Sequence, residues 1–447
     1  MKCLTRILGS VCGVLGAGLL AGLACLPARA GVGCRAELDR GVLPAGREET
    51  AVIKITMEPG HSRHSRRRPP VNLAIVLDRS GSMSGEKLEK AKEAAIEALR
   101  RLDGDDLFSL VMYDHNVETV VPAQSARNSE WIECRIRDIR AGGNTALFGG
   151  VSQGAAEVRK HLGDDYVQRI ILLSDGLANV GPSSPDDLER LGASLIKEGI
   201  SVSTVGVGLD YNEDLMTRLA QRSDGNSYFV RDSRDLPRIF AAELGDVLNV
   251  VARKVILTIE FKDGVRPLRI IGRDGRVGAD SVEIALNQLY GGQEKYALIE
   301  VAVPPAPAKS ERRVAVARLA YEDAVTQEAG RSEATALVRF SEREEDVVQS
   351  VNAAVQDDYA RNVIAVTKDE VVELMDQGKK DLAVRKLSEV NASLQKQRAK
   401  YNLPAQNREM EELEAEASAL DAKGMDRDMR KSYRNDSYII RSQQAAE

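Results

Sequence analysis

The chain has 447 residues, 43% of them hydrophobic and 29% charged, the composition of a folded globular protein with length for about three domains. Its formal charge is −6, and the first thirty residues hold three bases and no acid, so the rest sets 59 bases against 68 acids. An acidic balance with one Trp, six Phe and eleven Tyr argues against a nucleic-acid partner, which needs a concentrated basic surface and aromatic stacking platforms.

The amino end reads as a signal peptide. Lys2 and Arg6 precede an apolar stretch over 7–26, and Ala28-Arg29-Ala30 supplies the small residues that signal peptidase requires, so cleavage is expected after Ala30. The alternative is a retained anchor, since about 20 apolar residues suffice to span a bilayer. A lipid on Cys25 is disfavoured by the poor lipobox Gly22-Leu23-Ala24. No second apolar run of membrane length follows, so the mature chain is expected to be exported, to the periplasm or beyond, without a membrane span. Cleavage removes Cys3, Cys12 and Cys25 and leaves Cys34 and Cys134, for which an exported compartment permits a disulfide without the sequence showing whether they meet.

Residues 49–57, ETAVIKITM, alternate as one half-buried strand, and the basic run at 63–68 with Pro69-Pro70 ends it. VNLAIVLD (71–78) is nearly continuous in apolar residues, the mark of a strand buried on both faces. A helix over 85–102, strands over 106–113 and 117–122, and helices over 128–140 and 146–162 follow. A strand over 166–174, a helix over 185–198, a strand over 200–208, a helix over 212–222, a strand over 226–230 and a helix to 250 continue the alternation. This pattern predicts a doubly wound α/β domain with a mostly parallel sheet.

After 250, strands over 254–261, 267–272, 296–303, 312–321 and 333–340 come without intervening helices, which predicts a β-sandwich. The 49–57 strand is expected to join it, making the α/β domain an insertion. From 342 the chain is charged and helical: Leu382, Leu387, Val390 and Leu394 recur at helical spacing, and Asp376-Gln377-Gly378 turns a helical hairpin. Beyond Leu403-Pro404 the sequence reads as loosely ordered. The expected organisation is thus a signal peptide (1–30), amino-terminal sandwich strands (31–68), the α/β domain (69–250), the sandwich (251–341) and a charged helical region (342–447).

The chemistry gathers where strands end. The 71–78 strand runs into Asp78-Arg79-Ser80-Gly81-Ser82, the 166–174 strand into Ser174-Asp175-Gly176, and Gly142-Gly143-Asn144-Thr145 opens a helix between them. Open α/β sheets bind ligands at the carboxyl ends of their strands. Two carboxylates and three hydroxyls are oxygen donors, which hard divalent cations prefer. Taken singly, Ser82 or Ser84 also fits as a cap of the 85–102 helix, and Asp175 as a turn residue. Asp114 and Asp210, just after strands, read first as surface turn residues and alternatively as borders of the site, and Trp131 and Phe148 read as packing residues. His61, His64, His115 and His161 lack zinc-protease spacing, and neither a G-x-S-x-G elbow nor a phosphate-binding loop occurs.

The ordered set D-x-S-x-S, Thr in a Gly-rich loop, and Asp after the fourth strand resembles the von Willebrand factor type A domain and its metal-ion-dependent adhesion site, over about 71–248. The resemblance implies a divalent cation, Mg²⁺ first with Ca²⁺ or Mn²⁺ as alternatives. It implies contacts from Ser80, Ser82 and Thr145, and from Asp78 and Asp175 directly or through water. It further implies a non-enzymatic module that captures an Asp or Glu of a partner protein. An assembly role for the helical tail and a metal-assisted hydrolase are the competing readings.

Overall fold

A computed structural model describes residues 31–60, 68–163, 165–403 and 407–444. The expected signal peptide with its cleavage point after Ala30, Cys25, His61, His64 and most of the basic run lie outside the described residues.

Three strands come first: β1 (Val32–Leu38), β2 (Val42–Pro44) and β3 (Glu49–Pro59). The alternating region runs β4 (Val71–Asp78), α1 (Glu86–Arg100), β5 (Leu107–Tyr113), β6 (Val117–Ser125), α2 (Ser129–Arg137), α3 (Leu147–Arg159) and β7 (Val167–Ser174). It continues with α4 (Pro185–Leu195), β8 (Ile200–Val207), α5 (Glu213–Arg222), β9 (Ser227–Val230) and α6 (Leu236–Val247). Its strands form one sheet in the order β6-β5-β4-β7-β8-β9, parallel except for the edge strand β6, which returns antiparallel on β5.

All eight residues of β4 are buried. Period-two alternation sends Leu73, Ile75 and Leu77 into a core with Leu88 of α1 and Phe240 of α6. Ala74 and Val76 enter the opposite core with Val151 of α3, Leu188 of α4 and Leu215 of α5. Each such aliphatic side chain contributes about 1.5–3 kcal/mol on burial, which is why an apolar run of this kind is held at the sheet centre. From β4 the chain steps first to β5 on one side and later to β7 on the other. The carboxyl end of β4 is therefore a topological switch point, where the diverging connections leave a crevice.

The next strands are β10 (Val250–Phe261), β11 (Arg266–Ile271), β12 (Arg276–Val277), β13 (Ser281–Tyr290), β14 (Lys295–Val303), β15 (Glu311–Asp323) and β16 (Ala329–Ser341). They build a four-stranded sheet, β1-β3-β14-β11, and a six-stranded one, β12-β13-β10-β15-β16-β2. Ile53, Ile55 and Met57 of β3 meet Leu257 and Ile259 of β10 in the core between them. Strand β3 is not half-buried as its alternation predicts, because its other face is covered too: Val52 packs with Leu298 and Val355.

Strand β13 is absent from the sequence reading. Its alternation at Val282, Ile284 and Leu286 gives way to buried polar residues that join the α/β domain. Asn287 donates to Ser201, and Gln288 accepts from Arg169.

The carboxyl-terminal region consists of α7 (Glu344–Gln349), α8 (Ala353–Asp376), α9 (Lys380–Tyr401), α10 (Asn407–Lys423) and α11 (Arg427–Arg441). Gly378, at positive φ, turns the α8–α9 hairpin. Residues 407–444 are ordered, contrary to the expectation of a loose tail. Leu413, Leu420 and Tyr433 join Val371, Leu387 and Leu394 in one core. The many charges of α11 are matched from far away in sequence: Arg430 pairs with Glu213, Asp214 and Asp376, Lys431 with Glu213, and Arg434 with Asp214 and Asp369.

Cys34 in β1 and Cys134 on α2 are both free thiols, and burial pushes the Cys34 thiol up to about 11. No helix among the described residues is long and apolar enough to cross a membrane.

Candidate metal site

Asp78 is the last residue of β4 and is fully buried. One carboxylate oxygen accepts the Ser80 N–H at 2.8 Å, the other the Ser174 hydroxyl at 2.7 Å. Burial raises its pKa above the usual carboxylate range, and those hydrogen bonds offset part of the rise. The chain then makes a tight turn over Gly81–Met83, anchored by the buried Met83.

Helix α1 starts from Gly85, at positive φ and with no side-chain cap, so neither Ser82 nor Ser84 serves as the helix cap that the sequence allows. The Ser82 hydroxyl instead donates to Asp175 Oδ1 at 2.7 Å and lies 3.1 Å from Ser80 Oγ. The ammonium of Lys87, in the first turn of α1, donates to the other oxygen of Asp175.

The Thr145 loop is stitched to both neighbours. Gly142 N–H donates to Arg79 O at 2.8 Å, and Gly81 N–H to Gly143 O at 3.1 Å. Gly143 has positive φ, and a side chain there would meet His115 Nδ1 at 2.3 Å and Asp114 Cβ at 2.8 Å, so this close approach needs glycine. Thr145 N–H donates to the Asn179 side chain at 2.9 Å, and Asn179 and Val180 return bonds to Thr145 O.

The result converges at Gly176. A methyl group on its Cα would lie 3.2 Å from Thr145 Oγ1, 3.4 Å from Ser82 Oγ and 3.8 Å from Ser80 Oγ. Three hydroxyls thus face one small cradle, with Asp175 next to it in the chain and Asp78 tied to Ser80. All five residues singled out from the sequence are brought together. Among the described residues there is no cluster of three or more His, Cys, Asp or Glu suited to a metal. A cation at this place would therefore depend on hydroxyl oxygens alongside the two carboxylates, a donor set that fits a hard dication.

Two other residues, Asp114 and Trp131, fall differently from expectation. Asp114 is buried rather than a surface turn residue: it pairs with Arg79 at 2.9 Å and caps its own turn through Asn116 N–H at 2.7 Å, bracing the Gly143 loop. Asp210 is exposed and borders the cleft beside the cradle. Trp131 is exposed on α2 with Arg135 over its ring, while Phe148 packs against the core as expected.

The cleft measures about 750 Å³, and α11 forms one of its walls through Arg427, Arg430 and Lys431. The sequence reading missed this wall, along with Lys87 and Asn179, and gave Ser174 no role of its own. Ser174 immediately precedes Asp175, and Lys87 lies five residues beyond Ser82 in the first turn of α1, so both were findable near the motifs. The α11 wall carries no local signal.

The von Willebrand factor type A domain model matches residues 72–242. An uncharacterized protein of Synechocystis is 28% identical over 275 residues, covering 59% of this chain and 63% of its own length. Inter-alpha-trypsin inhibitor heavy chain H4 of Homo sapiens is 27% identical over 202 residues, 43% of this chain and only 21% of its own. This chain thus spans less than two thirds of those relatives. The solved structure of a von Willebrand factor type A protein from Catenulispora acidiphila superposes with a TM-score of 0.69 at 17% identity, over 94% of this chain and 99% of that one. That likeness extends the shared fold to the sandwich and the helical region. The matched residues, which hold both the switch-point sheet and the hydroxyl cradle, form a von Willebrand factor type A domain within this chain.

Proposed function

We propose that the chain is an exported, non-catalytic binding module whose divalent cation captures a carboxylate from an Asp or Glu of a partner protein. Ser80, Ser82 and Thr145 hold the ion, with Asp78 and Asp175 acting directly or through water; Mg²⁺ is the first choice and Ca²⁺ or Mn²⁺ the alternatives. The observation that carries this reading is the cradle of three hydroxyls at Gly176. Two carboxylates balance a 2+ charge, while neutral hydroxyls leave the ion attractive to an outside anion. The cleft offers that anion a way in. Export rests on the amino-terminal segment alone.

The test is affinity capture from cell-envelope extract on the immobilised full chain, run with Mg²⁺ and again with chelator, using wild type and Thr145→Ala. A partner held only with Mg²⁺ by wild type, and lost on Thr145→Ala, is expected. A partner held equally in chelator would overturn the reading and favour assembly through the helical region.

A further inference from the structure

Beside the cradle stand two leucines that the fold itself does not use. Leu177 is 58% exposed and Leu209 41% exposed, and neither joins any of the hydrophobic cores. Exposed apolar side chains scattered singly need no explanation. These two line one cleft, the same cleft that Ser80, Ser82, Thr145 and Asp175 line. Strand pairing sets Ser174 of β7 opposite Gly206 of β8, so Leu177 and Leu209 each follow three residues beyond that pair, on adjacent loops.

The facing wall supplies charge. Arg430 and Lys431 of α11 are taken up by Glu213, Asp214 and Asp376. Arg427 is largely exposed and pairs with Asp210 at 3.4 Å. A cation site, an exposed guanidinium and two water-facing leucines thus share one opening.

We propose that this cleft recognises an acidic residue together with a neighbouring large apolar side chain on one partner segment: the carboxylate goes to the cation site and the apolar side chain covers Leu177 and Leu209. The inference rests on the metal-dependent reading above and adds the second half of the specificity. Apolar contact next to a charged anchor contributes affinity that the ion cannot, because carboxylates are common on any protein surface and an acid with an apolar neighbour is rarer.

A heptapeptide display library selected on the immobilised full chain in Mg²⁺, and eluted with chelator, tests it. Eluted peptides are expected to carry Asp or Glu with Leu, Ile, Val, Met or Phe within two positions. On Leu177→Ser/Leu209→Ser the acid should persist while the apolar preference falls to library background. A synthetic peptide of the selected sequence should bind that variant about tenfold more weakly, the effect of losing roughly 55 Å² of apolar contact. Leu177→Met/Leu209→Met should restore the preference. Acidic peptides without apolar neighbours, or a preference unchanged by the serine pair, would overturn this inference and leave the metal reading standing. No acid among the chelator-eluted peptides would overturn the metal reading, and this inference with it.

Discussion

Gly176→Ala removes no ligand and yet should empty the metal site. The backbone of Gly176 lies outside the left-handed region, so alanine is tolerated there without strain. Its methyl would sit 3.2 Å from Thr145 Oγ1, tighter than ordinary contact, and 3.4 Å and 3.8 Å from the Ser82 and Ser80 hydroxyls. Without cation those hydroxyls can yield by a few tenths of an ångström. The smaller entropy of the unfolded alanine chain, about 0.4–1 kcal/mol, offsets that crowding, so metal-free stability should change by less than about 1 kcal/mol.

With cation the same displacement is costly. Mg²⁺ demands near-ideal geometry at about 2.0–2.1 Å, and a methyl group in the cradle excludes it from three donors at once. A loss of 10- to 100-fold in Mg²⁺ affinity is expected, about 1.4–2.8 kcal/mol. Ca²⁺, which accepts oxygens at about 2.3–2.6 Å in looser arrangements, should lose less. Calorimetric titration of each ion into the chelator-stripped variant, paired with melting in chelator, measures both sides. Unchanged Mg²⁺ affinity in a variant that melts like wild type would refute the placement of the ion in the cradle.

Three further outcomes follow from neighbouring charges. Lys87→Met removes the cation that pairs with Asp175, so Mg²⁺ should bind about tenfold more tightly while the metal-free melting temperature falls; weaker binding on titration would show that Lys87 supports the ion rather than competing with it. Burial raises the folded-state pKa of Asp78, so metal-free wild type loses stability as pH rises through that raised value. Asp78→Asn should therefore raise the metal-free melting temperature at pH 7, with the gain shrinking toward zero below the ordinary carboxylate value of about 3.9, and an opposite slope in a pH series of melts would contradict this. Arg169 is fully buried, 3.3 Å from Glu243, and donates to Ser203, Gln288 and Tyr290, joining the α/β domain to β13. Arg169→Met strands the Glu243 charge and should cost about 3–5 kcal/mol in urea unfolding, with much of it recovered in Arg169→Met/Glu243→Leu; a cost below about 1 kcal/mol would show that the pair does not hold the two domains together.

The candidate site was legible because its oxygens are compressed into three short stretches, two directly after strands whose apolar runs are unmistakable and the third, at Thr145, in a Gly-rich loop that opens a helix. Asp78, Ser80 and Ser82 lie within five residues, and Asp175 directly follows β7, another fully buried strand, so their places after strands aim them at the same sheet edge. What escaped the sequence was fixed by partners distant along the chain. The charges of α11 look like a solvated tail until Glu213, Asp214, Asp369 and Asp376 are brought against them. Strand β13 hides its alternation in Asn287 and Gln288, polar residues buried only because Ser201 and Arg169 meet them. Asp114 has the local look of any turn residue, and its burial under the Gly143 loop depends on a glycine about thirty residues away. Ser82 could cap a helix as far as local pattern goes, and its bond to Asp175 spans 93 residues.

The central claim is that a divalent cation binds among Asp78, Ser80, Ser82, Thr145 and Asp175. Calorimetric titration of Mg²⁺ into the chelator-stripped full chain tests it most directly, with Asp78→Ala and Thr145→Ala alongside wild type. Wild type should bind one ion with a Kd on the order of 0.1–1 mM, Asp78→Ala should show no binding in that range, and Thr145→Ala should bind more weakly without a lower metal-free melting temperature. Asp78→Ala binding Mg²⁺ as tightly as wild type would contradict the account.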